Sequence, residues 1–104
     1  MKFAQIIEFK TSRIDDFHAH LDAWMTSTDG HRIPHRAVLG RDRDAGDRYL
    51  LMVEFADYGS GRENSNRPET SEFAAGLAEI SEEPLAFRSL DVLREEHLLE
   101  RAPH

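Results

Sequence analysis

The chain has 104 residues, enough for one domain that buries about two-thirds of the surface its unfolded form exposes. Its 13 Lys and Arg against 20 Asp and Glu leave a formal charge of −7, which argues against nucleic acid or an anionic membrane surface as partners. Without cysteine there can be no disulfide, thiolate nucleophile or cysteine-ligated metal, and no apolar run approaches the ~18 residues of a membrane span, so the cytoplasm is the expected location.

Residues 2–10 read as a strand, with Phe3, Ile7 and Phe9 on one face and Ala4 and Ile6 on the other. Ser12 then caps a helix over 13–27, where Asp15 and Asp16 sit in the electropositive first turn. Ile14, Phe17, Leu21, Trp24 and Met25 recur along one face at helical spacing, and Gly30 is suited to the left-handed turn that ends it. Residues 36–42 and 48–56 make a hairpin around Gly46. The second of these strands is again apolar on both faces, Tyr49, Leu51, Val53 and Phe55 against Leu50 and Met52. Residues 57–65, with Gly59 and Gly61, read as a loop or one irregular turn. Asn66 is expected to cap a second helix with Pro68 in its first turn, and Phe73, Ala74, Leu77 and Ile80 form its apolar stripe. Pro84 breaks it, and 85–94 is a last strand.

The order is β-α-β-β-α-β, an α+β ferredoxin-like arrangement with an antiparallel sheet, spanning residues 1–95, followed by a polar tail over 96–104. Right-handed crossovers put both helices on one side of that sheet. Strands that are apolar on both faces then need a second cover, and a second copy of the chain supplies it, so a homodimer is expected through the sheet face that the helices leave bare.

The opening strand 1–10, the helix carrying Trp24, the hairpin ending Val53-Glu54-Phe55, the segment Asn64-Ser65-Asn66-Arg67-Pro68-Glu69-Thr70 and the closing run 87–95 carry a resemblance over nearly the whole length. In these the chain resembles the antibiotic biosynthesis monooxygenase-like branch of the dimeric α/β-barrel superfamily, its actinobacterial-type members above all. The resemblance implies two sheets packed face to face in a homodimeric α/β barrel, with a small-molecule pocket between helices and sheet in each subunit. It also implies a cofactor-independent monooxygenase acting on a small aromatic or quinone-like substrate. Other members degrade haem, isomerise substrates or serve as stress-responsive proteins, so a non-catalytic ligand-binding dimer is the alternative. Haem-degrading members need a histidine near the start of the second helix. Residues 62–72 contain none, Asn64 stands roughly there, and Trp24 lies on the first helix, so no cofactor is expected.

Among candidate site residues, Gln5 shares the Phe3, Ile7 and Phe9 face, where its amide either orients a ligand oxygen or bonds nearby backbone. His20 and Trp24 stand one helical turn apart; one accepts a proton and the other stacks on an aromatic ring, or both simply pack. Asn64 and Arg67, at the mouth of the second helix, are placed for an electron-rich group, with Arg67 to hold a carboxylate or phenolate. Tyr58 and Arg62 form a lid or lie on the surface. Asp91, flanked by Leu90 and Val92, is either a base with a raised pKa or the partner of Arg88, Arg48 or a second subunit's arginine. The catalytic assignment is therefore His20, Asp91 and Asn64, and the binding assignment Gln5, Trp24, Tyr58, Arg62 and Arg67. No metal site is expected, since His18 and His20 diverge on their helix and His31 and His35 flank Pro34. A purely structural protein would instead fill its pocket with side chains, leaving far less than the ~300 Å³ of ordinary small-molecule sites.

Overall fold

In the computed structural model, residues 1–99 are described. Residues 100–104, the end of the expected tail, lie outside the described residues. The elements run β1 (Phe3–Lys10), α1 (Ile14–Ser27), β2 (Arg36–Arg41), β3 (Arg48–Phe55), α2 (Tyr58–Ser65), α3 (Pro68–Ile80) and β4 (Ala86–Asp91). The strands form one antiparallel sheet in the order β2-β3-β1-β4, so the β-α-β-β-α-β ferredoxin-like arrangement is realised with one extra helix. None of the described helices is long and apolar enough to cross a membrane.

Register fixes the two faces. Phe3 lies between Phe55 and Asp91, Gln5 between Val53 and Ser89, and Ile7 between Leu51 and Phe87, all on the helix side. Phe9 and Tyr49 continue that face, and Phe17 of α1 comes down on it. The three rings are nearly parallel, with Phe9 5.4 Å from Phe17 and 5.5 Å from Tyr49. Leu77 and Ile80 of α3 complete the core, and Phe73 meets Phe17 edge-on. Met25, expected in the α1 stripe, is instead exposed: it lies one residue past Trp24, beyond the edge of the face that meets the sheet.

The opposite sheet face carries Ala4, Ile6, Val38, Leu50, Met52, Ala86 and Leu90 with no helix over it. Val38, Leu50 and Leu90 there are 42, 39 and 44 % exposed, a large accessibility for adjacent strands of one sheet. Glu54 on the same face is buried and pairs with Arg36 across the β2–β3 ladder.

Helix entries differ from the sequence expectation by one residue each. Arg13 rather than Ser12 is the N-cap of α1, because Thr11 takes over the side-chain role: its hydroxyl accepts from the Arg13 amide at 2.9 Å. The same hydroxyl donates to the Ile80 carbonyl at 2.6 Å, and the Glu82 amide donates to the Lys10 carbonyl. The end of β1 and the end of α3 are thereby stitched together. Asn66 does not cap α3. Arg67 is the N-cap without a side-chain bond, Pro68 follows it, and Asn66 instead closes α2. The hairpin turn is made by Asp42, whose carboxylate accepts the Asp44 amide, and Gly30 takes its positive φ of 82° after α1.

The segment 57–65, read as a loop from its two glycines, is the helix α2. Each glycine costs about 1 kcal/mol of helix propensity, which is the signal the sequence reading followed. Two features outweigh it. Asp57 caps the helix, its carboxylate accepting the Ser60 amide at 2.7 Å. Gly61 lies flat on the Phe3 ring, so close that a Cβ would sit 2.8 Å from two ring carbons.

The Ser60 amide holds the Asp57 carboxyl below its ordinary value of 3.8. A lowered folded-state value means the cap contributes above pH 3.8 and is lost as pH falls through the lower value. Amide exchange across residues 58–65 is therefore expected to accelerate in acid before that of α1 or α3, and Asp57→Ala should reproduce the acceleration at pH 7. Equal protection of all three helices at low pH would contradict this role for Asp57.

Candidate functional site

Three hollows lie on the helix side of the sheet. The innermost is a partly open cleft between the sheet and the helices, with Gln5, Ile7, Leu51, Val53 and Phe55 as its floor and Leu21, Trp24, Asn64, Thr70 and Phe73 among its walls. Its volume is about 70 Å³, well under an ordinary small-molecule site. What sets it apart from packing voids is its polar lining. The Thr70 hydroxyl is buried without a hydrogen-bond partner. The side-chain amides of half-buried Gln5 and Asn64 also border it and make no hydrogen bond among the described residues, but unlike the Thr70 hydroxyl they keep some solvent access. Unpartnered polar groups facing an apolar interior are costly, and a guest atom or water with matching polarity removes the cost. The expectation that Gln5 bonds nearby backbone is not met: its side chain makes no hydrogen bond among the described residues.

Trp24 and Phe73 also form the back wall of a second hollow, an open groove of about 570 Å³ between α1 and α3. His20 lies here, not in the inner cavity. Its ring rests on Gly76, where a Cβ would come within 2.6 Å of it, so the histidine sits at the seam of the two helices. Glu69, Glu72 and Glu79 border the same groove. Arg32 lies 5.5 Å over the Trp24 ring and donates to the Met25 carbonyl, which fixes the indole from outside.

The third hollow is an open groove between α2 and the edge strand β4. It has two adjoining parts of about 290 and 350 Å³ that share Phe3, Tyr58 and Ser89. Tyr58 stands edge-on to Phe3 at 5.2 Å, and Arg62 lies over Tyr58 at 6.0 Å. Asp91 borders this groove and is exposed. The expected burial of Asp91 fails because β4 is an edge strand and α2 leaves its end open, and neither Arg88 nor Arg48 pairs with it. Arg48 is occupied by Glu83 and Glu8.

The structure thus brings Gln5, Trp24 and Asn64 to one cavity and leaves His20 and Asp91 in two others. Arg67 reaches none of the three. Its guanidinium donates to the His31 carbonyl at 2.7 Å and pairs with Glu63, so it ties α2 to the segment after α1 instead of waiting for an anion. Thr70 is the cavity residue that the sequence reading missed. Its signal was available: Thr70, Phe73 and Leu77 fall at helical spacing, so a hydroxyl occupies a place in the apolar stripe. Among the described residues, no three His, Asp or Glu side chains gather as metal ligands.

No family model matches the chain, and no curated protein matches it in sequence. Solved structures do match in shape. Rv0793 from Mycobacterium tuberculosis is similar at a TM-score of 0.72 with 24 % identity, over 93 % of this chain and 100 % of that one. SnoaB, a cofactor-independent oxygenase from Streptomyces nogalater, gives 0.74 with 15 % identity, over 90 and 95 %. A candidate antibiotic biosynthesis monooxygenase from Bordetella bronchiseptica gives 0.71 with 19 % identity, over 89 and 98 %. Identities this low speak for shared architecture, and on that footing the chain has the antibiotic biosynthesis monooxygenase-like fold that its sequence resembles.

Proposed function

We propose that the protein is a homodimeric small-molecule-binding protein that acts as a cofactor-independent monooxygenase on a small aromatic substrate able to ionise. The observation that carries this reading is the mostly apolar cavity between sheet and helices, bordered by Gln5, Asn64 and Thr70, whose side chains make no hydrogen bond among the described residues, beside the Trp24 indole. Its shape similarity to a cofactor-independent oxygenase supports it. The bare apolar sheet face supports the dimer.

The chemistry follows from what borders the cavity. No titratable side chain lines it, so the substrate itself supplies the reactive anion. An acidic phenol with an activated CH₂ carbon gives its proton to solvent on entering the partly open cleft, leaving a delocalised carbanion. That carbon bonds to one oxygen atom of O₂, protonation gives a hydroperoxide, and loss of water leaves a carbonyl group. The amides of Gln5 and Asn64 and the Thr70 hydroxyl stabilise the oxygen that carries the negative charge, and the apolar walls keep water out. His20 and Asp91 take no part as base in this scheme, since neither borders the cavity.

Oxygen uptake with an anthrone-type phenol tests it. Uptake should exceed that of the substrate alone, and Asn64→Ala should lower it by about two orders of magnitude, as removal of one oxyanion donor does elsewhere. The absence of a titratable lining group favours a second reading, a dimer that binds such a molecule without transforming it. Binding with oxygen uptake no faster than in buffer would establish that reading instead.

A further inference from the structure

The inner cavity is too small for an aromatic ring system, yet its polar lining asks for a guest. Gln5 resolves this, because its side chain borders both the inner cavity and the α2–β4 groove. The wall between the two is α2. That helix has two glycines in eight residues, buries only Gly61, and meets the sheet as a flat glycine face on the Phe3 ring. Beside that glycine contact α2 packs on the sheet through the edge of Tyr58 against Phe3, and no hydrogen bond joins α2 to the sheet among the described residues. A small displacement of α2 joins the hollows at Gln5 into a space of ordinary ligand size.

The groove side has its own chemistry: Asp91 borders its outer part, whereas Arg62 borders the part that reaches Gln5. Arg62 makes no contact with a carboxylate among the described residues and is held against the Tyr58 ring, which itself stands on Phe3. A guanidinium pre-placed beside an aromatic wall receives a planar anion with bidentate hydrogen bonds. Arg67, the other arginine of this region, is already engaged.

We propose that the Gln5–Asn64 cavity and the α2–β4 groove are two compartments of one ligand site, in which the groove takes the anionic substituent of a planar aromatic ligand against Arg62 while the ring enters beside Gln5. This rests on the reading of the inner cavity as a ligand site. It assigns Arg62 as a specificity-determining residue and α2 as the partition that yields when the ligand enters.

The probes are 2-naphthoate and its neutral counterpart 2-naphthamide, titrated calorimetrically and followed by amide and guanidinium NMR shifts. Naphthoate is expected to shift the side-chain signals of Gln5 and Asn64 together with that of Arg62. Arg62→Gln, at an exposed position where folding is not at stake, should weaken naphthoate about tenfold or more, the value of a charge-assisted bond, and leave naphthamide unchanged. Asn64→Ala should weaken both. If naphthamide shifts Gln5 and Asn64 but Arg62→Gln leaves naphthoate affinity intact, the two-compartment site is wrong and the inner site stands alone. If neither probe moves Gln5 or Asn64, the inner site as an aromatic pocket falls, and this proposal with it.

Discussion

Leu50→Lys is expected to turn the proposed dimer into a monomer at micromolar concentration without unfolding it. Leu50 is exposed on the bare sheet face and pairs across the ladder with Glu8. A lysine there gains an opposite charge within its own subunit, so the isolated chain tolerates it. In a twofold interface the change counts twice, because each copy presents the same patch. Two lost leucine contacts of roughly 1.5–3 kcal/mol each, before any desolvation of the lysines, weaken association by about two to four orders of magnitude. Sedimentation equilibrium reads the assembly and circular dichroism the fold. A wild-type chain that is already monomeric, or a Leu50→Lys protein that stays dimeric, would remove the bare face as the dimer surface.

Phe17→Ala should be the most damaging single truncation of the helix layer. Phe17 is fully buried, stacks on Phe9 and receives the edge of Phe73, so its removal opens a cavity where sheet, α1 and α3 meet. Such truncations cost about 3–5 kcal/mol, a large share of the roughly 5–15 kcal/mol that holds a domain together. The thermal midpoint should fall by at least about 12 °C at fixed protein concentration. Met25→Ala on the same helix is the matched control. Its side chain is 43 % exposed, and its loss should cost under about 1 kcal/mol. Similar midpoints for the two variants would mean that α1 does not dock through Phe17.

The contrast between these two residues shows what was legible in the sequence. Helical periodicity selected both, because it marks a face to within a residue or so, whereas the edge of that face is set by where the sheet ends under it. Strand alternation did better. The two-sided pattern of β1 and β3 is reproduced residue for residue in the ladder, since a period of two leaves no room for drift. The second helix layer was harder to read. Gly59 and Gly61 speak against a helix locally, and only the approach of Gly61 to Phe3, 58 residues away in sequence, makes the second of them favourable. The site followed the same rule. Gln5 and Trp24 lie on elements whose faces were legible, and they converge; Asn64 joins them from α2, selected for its place near the start of the second long helix and not for a legible face. Asp91 and His20 were chosen for their chemistry, and the strand edge and the helix seam that carry them away from the cavity are products of packing.

Thr11 has a consequence of a different kind. Its hydroxyl, 1 % exposed, fastens β1 to the last turn of α3, while α2 has no hydrogen bond to the sheet among the described residues and is tied at its C-terminal end through the exposed pair Glu63–Arg67. The molecule is therefore a firm slab carrying one loosely hung flap, and local opening of the flap costs less than global unfolding. Substitutions in the flap can retune what is admitted without disturbing the slab. A lineage built on this plan can exchange guests by editing eight residues and keep everything else.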